Sequence, residues 1–253
     1  MPMSAALKLT TQRQFSKAAT NYQQHARVQA ASSNVLLDYI GPRHLGVCLD
    51  LGAGPGVNSH ALSVRAQQLV SLDLSESMLQ CARTLGGDDN HVVCADMDTL
   101  PIHSAAIDTV FSNFAMQWSA DLAALLCELH RILTANGRAY IAVVSEGSLE
   151  EVKAAFATAG VPAINQFIRV GDLTLAAKLA GFKVQWQHEA RLFDRFDSAK
   201  QALKSLSAIG ANSCEHGHRH LSKNQYMQIL NHLQGSQPGV ELSYNVAFLE
   251  LIK

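Results

Sequence analysis

The stretch that most constrains this chain is Val47-Cys48-Leu49-Asp50-Leu51-Gly52-Ala53-Gly54-Pro55-Gly56. An apolar run led by a β-branched residue ends in an acid, and alternating glycines follow at once. The run is too short and too abruptly broken for a helix, so it predicts a buried strand. The glycines predict a tight loop where backbone approaches a ligand with no Cβ in the way. A helical pattern resumes from Asn58 to Arg65, completing a strand–loop–helix unit of the kind that binds ligands at the strand's carboxyl end. The spacing is G-x-G-x-G, not the dinucleotide G-x-G-x-x-G, and no Lys-Ser/Thr pair marks a phosphate loop. Asp50 beside the loop suits a ligand with a cationic centre and no phosphate. The alternative is a sharp strand-to-helix turn with no ligand.

With 253 residues, 48% of them apolar, the chain can build one large domain, alone or with a small appendage. A formal net charge of −1 gives no bulk attraction to nucleic acid or to an anionic membrane, so neither is expected as a partner. The five cysteines (Cys48, Cys81, Cys94, Cys127 and Cys214) have no C-x-x-C pair and no zinc spacing. They predict buried free thiols in a reducing compartment and no metal site. No apolar run is long enough to span a bilayer, and the N-terminus has no apolar signal region. The expectation is a soluble, cytoplasmic protein.

Met1–Thr10 reads as a loose tail and Thr11–Ile40 as helical, with an apolar stripe through Phe15, Ala18, Ala19, Tyr22, Ala26, Ala30, Val35, Leu36 and Tyr39. Gly41-Pro42 stops it. Such a segment would cross the mouth of the sheet; Tyr22 and His25 share a face, and ordinary packing accounts for both on pattern alone. Beyond the glycines, Gln68–Leu72 reads as a strand ending at Asp73, and Ser75 caps a helix to about Leu85. An acid roughly twenty residues past the glycines, at a strand tip, is where doubly wound nucleotide folds bond ribose hydroxyls; this is preferred for Asp73 over a helix-dipole partner. A third strand, His91–Ala95, leads to Asp96-Met97-Asp98, an acid and a large apolar side chain suited to an adenine amine and ring. Asp98 fits a helix cap or a solvated loop charge equally and stays unassigned.

Ile107–Ser112 is the fourth strand, opening into Asn113-Phe114-Ala115-Met116-Gln117-Trp118 beside the first strand's tip. Asn113, Gln117 and Trp118 are therefore site candidates, against a packed Trp and two polar loop residues. A helix from about Asp121 to Leu133, a stop at Asn136-Gly137 and a fifth strand, Arg138–Val144, complete a doubly wound parallel sheet. Helices Gly147–Gly160 and Leu173–Gly181, a sixth strand Phe182–His188 and a last strand Leu242–Ile252 follow. Roughly fifty residues separate these two strands, far more than a hairpin needs. They read as helices Ser198–Ile209 and Ser222–Leu233 joined by Asn212–His220, a small lid or docking subdomain over the sheet's carboxyl edge. His216, His218, Arg219 and His220 have no Cys or acid arrangement for a metal and read as a solvated loop. Arg191, Arg195, Lys200 and Lys204 tilt the region basic; on charge alone they are a solvated face. The expected divisions are an N-terminal helical segment (11–40), a core (41–189 and 241–253) and a helical insert (190–240).

Leu49-Asp50-Leu51-Gly52-Ala53-Gly54-Pro55-Gly56, Asp73, Ala95-Asp96-Met97 and Ser112-Asn113 together resemble the class I S-adenosylmethionine-dependent methyltransferases across about residues 45–145. Phe15-x-x-Ala18-Ala19-x-x-Tyr22-x-x-His25-Ala26-x-x-Gln29, Ser112-Asn113-x-Ala115-x-Gln117-Trp118 and Leu206-x-x-Ile209-Gly210-Ala211 narrow the resemblance to the malonyl-acyl-carrier-protein O-methyltransferases of biotin synthesis. Ser207 stands where that family often has Lys, and Ala53 where it commonly has Cys. The resemblance implies an α/β, Rossmann-like, seven-stranded sheet with its last strand antiparallel.

The resemblance further implies methyl transfer from S-adenosylmethionine to the free carboxylate of malonyl-acyl-carrier protein or malonyl-coenzyme A. A cofactor site would comprise Tyr22, Asp50, Gly52, Gly54, Gly56, Asp73, Leu74, Asp96, Met97 and Asn113. Tyr22 would close over the methionine end, with Gln117 and Trp118 lining the acceptor side, and the basic insert would meet an acidic carrier protein. Esterification would cancel the malonyl charge, so that the product passes as a primer for elongation. A carboxylate is already ionised near neutral pH, which agrees with the lack of an obvious Cys-His or His-Asp pair. The competing expectations are a methyltransferase of the same fold acting on another small molecule, and a non-catalytic cofactor-binding module.

Overall fold

The computed structural model of the chain describes Arg13 and residues 26–86, 90–161, 167–208 and 221–253. Strands β1 (Gly46–Leu51), β2 (Ala66–Asp73), β3 (Asn90–Cys94), β4 (Ile107–Asn113), β5 (Leu133–Val144), β6 (Lys183–Phe196) and β7 (Val240–Ile252) form one seven-stranded sheet in the order β3-β2-β1-β4-β5-β7-β6. The first five strands run parallel, and β7 is antiparallel to both β5 and β6. The order reverses between β1 and β4, so their carboxyl tips open a crevice where the glycine loop emerges.

Helices cover both faces. On one side α1 (Arg27–Ile40), α2 (Ser59–Ser63), α5 (Glu150–Thr158) and α7 (Ala199–Ala208) bury Leu36, Leu62, Val152 and Ala202 against Phe111, Tyr140 and Phe248. On the other side α4 (Leu122–Ile132) and α6 (Val170–Leu179) bury Leu125, Leu129, Leu173 and Ala177 against Leu49, Val110 and Ile141. The remaining helices are α3 (Glu76–Gly86), between β2 and β3, and α8 (Lys223–Gln234), which packs on α5 and α7. Asp121 caps α4 through the Ala124 N–H, and Ser222 caps α8 in a reciprocal box with Gln225.

The expected seven-stranded sheet with its last strand antiparallel is present, and two expectations need correction. The sixth strand does not end at His188. It pairs with β7 from Lys183↔Ile252 to Phe196↔Val240, so the helical part begins only at Ala199. Ala190, Leu192 and Phe196 face the core while Arg191, Phe193 and Arg195 are exposed, a strand alternation in which the arginines take the outward positions. Both arginines thus leave the helical insert, and both are paired: Arg191 with Ser243 and Glu151, Arg195 with Glu241. The cysteines are the second correction. Cys48, Cys81, Cys94 and Cys127 are free, yet only Cys48 is buried; Cys94 and Cys127 are exposed, on a strand end and on the outer face of α4. Tyr22, His25, Ile209-Gly210-Ala211, Cys214 and the histidine-rich loop lie outside the described residues. No helix among the described residues is long and apolar enough to cross a membrane.

At the amino edge of the sheet, Glu250 on β7 is 1% exposed. It accepts the Tyr39 hydroxyl at 2.6 Å and pairs with Arg138 and, at 3.4 Å, with Arg43. Burial alone would raise its pKa; the Tyr39 and Arg138 hydrogen bonds and the Arg138 charge overcome this and hold the carboxyl below its usual range. The group therefore stabilises the fold above the ordinary glutamate pKa, and that contribution is lost as pH falls through the lowered value. Glu250→Ala is expected to cost about 2–4 kcal/mol in denaturant unfolding at pH 7, with the deficit shrinking as the wild type is acidified.

Candidate active site

The site grows from the tip of β1. Asp50 is 1% exposed and its Oδ2 has no hydrogen-bond partner among the described residues. Burial, and after it the charge of Asp73, pushes its carboxyl up to about 7. Asp73, at the tip of β2, is tied to the backbone on both oxygens: Oδ2 accepts the Gly54 N–H at 2.9 Å and Oδ1 the Ser75 N–H at 2.8 Å. Burial raises Asp73 too, against the pull of the Ser75, Gly54 and Leu74 amides. The acid expected at the ribose thus also fastens the glycine loop to the neighbouring strand.

All three glycines of the loop take positive φ. Gly52 has φ +74°, and a Cβ there would overlap Ala115 Cβ while lying 3.9 Å from Met97 Cε. The exits of β3 and β4 therefore close onto the loop at this point. Gly54 has φ +55°, and a Cβ there would meet nothing within 4 Å. It faces a hollow open to solvent, whose walls among the described residues are Ala26, Gln29 and Ala30 from α1 and its entry, the loop residues Gly52–Pro55, Val57 and Asn58, and Asn113. None of these wall residues is charged.

The loops after β3 and β4 are locked together. Asp96 accepts the Asp98 N–H at 3.0 Å. Asp98 in turn accepts the Ser119 hydroxyl and, at 2.9 Å, the Ala120 N–H. The acid left unassigned from sequence is thus a brace between two site loops. Phe114 takes φ +53°, uncommon for a non-glycine residue. The Gln117 amide donates to its carbonyl at 2.9 Å, and Gln117 Oε1 is buried without a partner among the described residues. Trp118 is half-buried in the turn Met116–Trp118, its N–H on the Ala115 carbonyl.

Asp50, Gly52, Gly54, Asp73, Met97 and Asn113 thus converge on the glycine loop, while Gln117 and Trp118 sit one turn further along the β4 exit. Gly56 packs against α3, where a Cβ would come within 2.6 Å of Ala82 Cα. Sequence reasoning missed Gln29 and Asn58. Gln29 lay in plain sight beside Ala26 and Ala30, but which side of a helix meets a cavity is a tertiary fact.

The arrangement fits a cationic ligand: acids behind the loop, an unsatisfied buried oxygen, neutral walls, and open space where a side chain would intrude. In the ligand-free protein the raised Asp50 pKa has a definite sign. Stability is fully present below the ordinary aspartate pKa and is lost as pH rises through about 7, because ionisation is opposed in the folded state. Asp50→Asn is therefore expected to gain about 1–3 kcal/mol over wild type at pH 8 and almost nothing at pH 4, as read from unfolding midpoints across pH.

Residues 49–141 match the family described as "Methyltransferase domain". The malonyl-[acyl-carrier protein] O-methyltransferase of Pseudescherichia vulneris is 34% identical over 219 residues, covering 86% of this chain and 85% of that protein. The biotin biosynthesis bifunctional protein BioHC of Saccharophagus degradans is 30% identical over 97% of this chain, and the chain spans 47% of that longer protein. Among solved structures, the YcgJ protein from Bacillus subtilis superposes with a TM-score of 0.67 at 15% identity, over 88% of this chain and 98% of that one, a likeness of fold. With the glycine loop, its acids and the antiparallel last strand in place, the chain belongs to the malonyl-[acyl-carrier protein] O-methyltransferase family.

Proposed function

We propose that the chain is an S-adenosylmethionine-dependent methyltransferase that esterifies the free carboxylate of a malonyl thioester, carried on acyl-carrier protein, at an early step of biotin precursor synthesis. The observation that carries this is the buried Asp50 Oδ2, without a hydrogen-bond partner among the described residues, behind a glycine loop that opens onto neutral walls. A donor with an ammonium and a sulfonium supplies positive charge to such acids and an electrophilic methyl to the acceptor. Asp50 takes the ammonium side, Asp73 with Leu74 the ribose, and Asp96 with Met97 the adenine. Gln117 and Trp118 line the acceptor side, and the family resemblance assigns Tyr22, which lies outside the described residues, to the methionine end.

The acceptor needs no base. A malonyl carboxylate is ionised near pH 7, so its oxygen forms the new bond to carbon while the sulfur–carbon electron pair returns to sulfur. No proton moves, and the two opposite charges cancel. The protein's work is to align oxygen, methyl and sulfur and to exclude water. The free thiols among the described residues support a reducing, cytoplasmic setting.

Lys200 and Lys204 stand one turn apart on the exposed face of α7, and this face suits an acidic carrier protein. The charge-reversed double variant Lys200→Glu/Lys204→Glu is expected to raise KM for malonyl-acyl-carrier protein by about fivefold or more while leaving malonyl-coenzyme A unaffected. An unchanged KM places docking elsewhere. For the reaction itself, label from methyl-labelled donor is expected in a base-labile ester with malonyl-acyl-carrier protein and not with acetyl-acyl-carrier protein. Donor binding without transfer to the malonyl substrate would point to a different small-molecule acceptor.

A further inference from the structure

Asn113 is the last residue of β4 and one wall of the cavity, but its amide is spent on α1. Its Nδ2 donates to the Gln29 carbonyl at 2.9 Å, and its Oδ1 accepts the Ser32 hydroxyl at 2.7 Å. The adjacent Ser33 hydroxyl donates to Oδ1 of Asn58, another wall residue. Ser32 and Ser33 are both buried, on a helix whose other buried residues are Val28, Leu36 and Ile40. Serine is a mediocre helix former, and apolar residues would bury this face as well. Their hydroxyls add direction: they fix the register of α1 over the glycine loop.

The helix has separate fastenings at its two ends. Arg27 pairs with the buried Asp194 at 2.7 Å, donates to the Arg195 carbonyl at 2.8 Å and lies over the Phe196 ring. At the opposite end Tyr39 is bound to Glu250. Among the described residues, the middle fastenings, through Asn113 and Asn58, are the ones that touch the cavity. Such hydroxyl–amide bonds contribute little net energy, because water replaces them when they open. A wall held this way closes in a defined place and still releases.

We infer that Asn113 is a positioning residue that, through Ser32 and the Gln29 carbonyl, holds α1 as the retaining wall of the donor cavity and so sets how long the donor stays. This rests on the donor occupying the glycine-loop cavity, as proposed above.

The test is the dissociation rate of S-adenosylhomocysteine from the full chain, measured by surface plasmon resonance. Ser32→Ala is expected to speed release by about three- to tenfold, as loss of one hydrogen bond implies. Asn113→Ala should do the same or more, and the double variant should release no faster than Asn113→Ala alone, because both remove one coupling. Tyr39→Phe removes a bond from the same helix far from the cavity; it should lower the unfolding midpoint and leave the release rate unchanged. If Asn113→Ala speeds release while Ser32→Ala does not, Asn113 touches the donor directly and the inference is wrong. If Tyr39→Phe speeds release equally, general loosening explains the effect and the inference is likewise overturned. Wild type that binds no S-adenosylhomocysteine would instead remove the donor assignment itself.

Discussion

The site depends on one hydrogen bond, from the Gly54 N–H to the carboxylate of Asp73. It joins the loop leaving β1 to the tip of β2, and so converts two parallel strands into two walls of one crevice. Together with the Gly52 and Ala53 N–H groups, which donate to the Leu72 carbonyl of β2, it fixes a glycine-rich loop that would otherwise take too many conformations to present a defined surface. The bond has an electrostatic consequence. It keeps Asp73 where its charge adds to burial, the larger cause, in raising the Asp50 pKa; the Asp50 Oδ2 meanwhile has no hydrogen-bond partner among the described residues. Folding therefore leaves a deficit that a cation can fill, which is a physical description of a binding site before anything is bound.

Around that crevice the supports are braces between loops more than contacts to a ligand. Asp98 joins the exits of β3 and β4, Ala115 backs onto Gly52, and Asn113 reaches α1. Each draws on a different segment, so the geometry at the strand tips is over-determined. The Glu250 cluster does a comparable job at the opposite edge, where Tyr39, Arg43, Arg138 and Tyr140 converge and a buried carboxylate is kept charged by its partners.

Much of this was legible in the sequence because it is local. The glycine loop, the acid at the tip of β2 and the helix starts near Asp121 and Ser222 each follow from residues within a few positions of one another. What was not legible is what depends on distant partners. Asp98 offered two equal roles until Ser119 and Ala120 came beside it. The outer half of β6 looked like the start of a basic helical region because Arg191 and Arg195 interrupt its apolar residues; pairing with β7 turned that interruption into a strand's alternation. The cysteine prediction failed for a similar reason. Cys127 lies in an apolar helix, but on the side that faces away from the sheet.

The long β6–β7 ribbon brings Phe196 and Val240 side by side. The helices α7 and α8 therefore leave and return at a single point, like a bead on a closed stalk. Lengthening or exchanging such an excursion alters loop-closure entropy only slowly and leaves every other strand in register. The excursion can thus change in length or sequence while the strands that carry the glycine loop keep their register, so variation in one need not disturb the other.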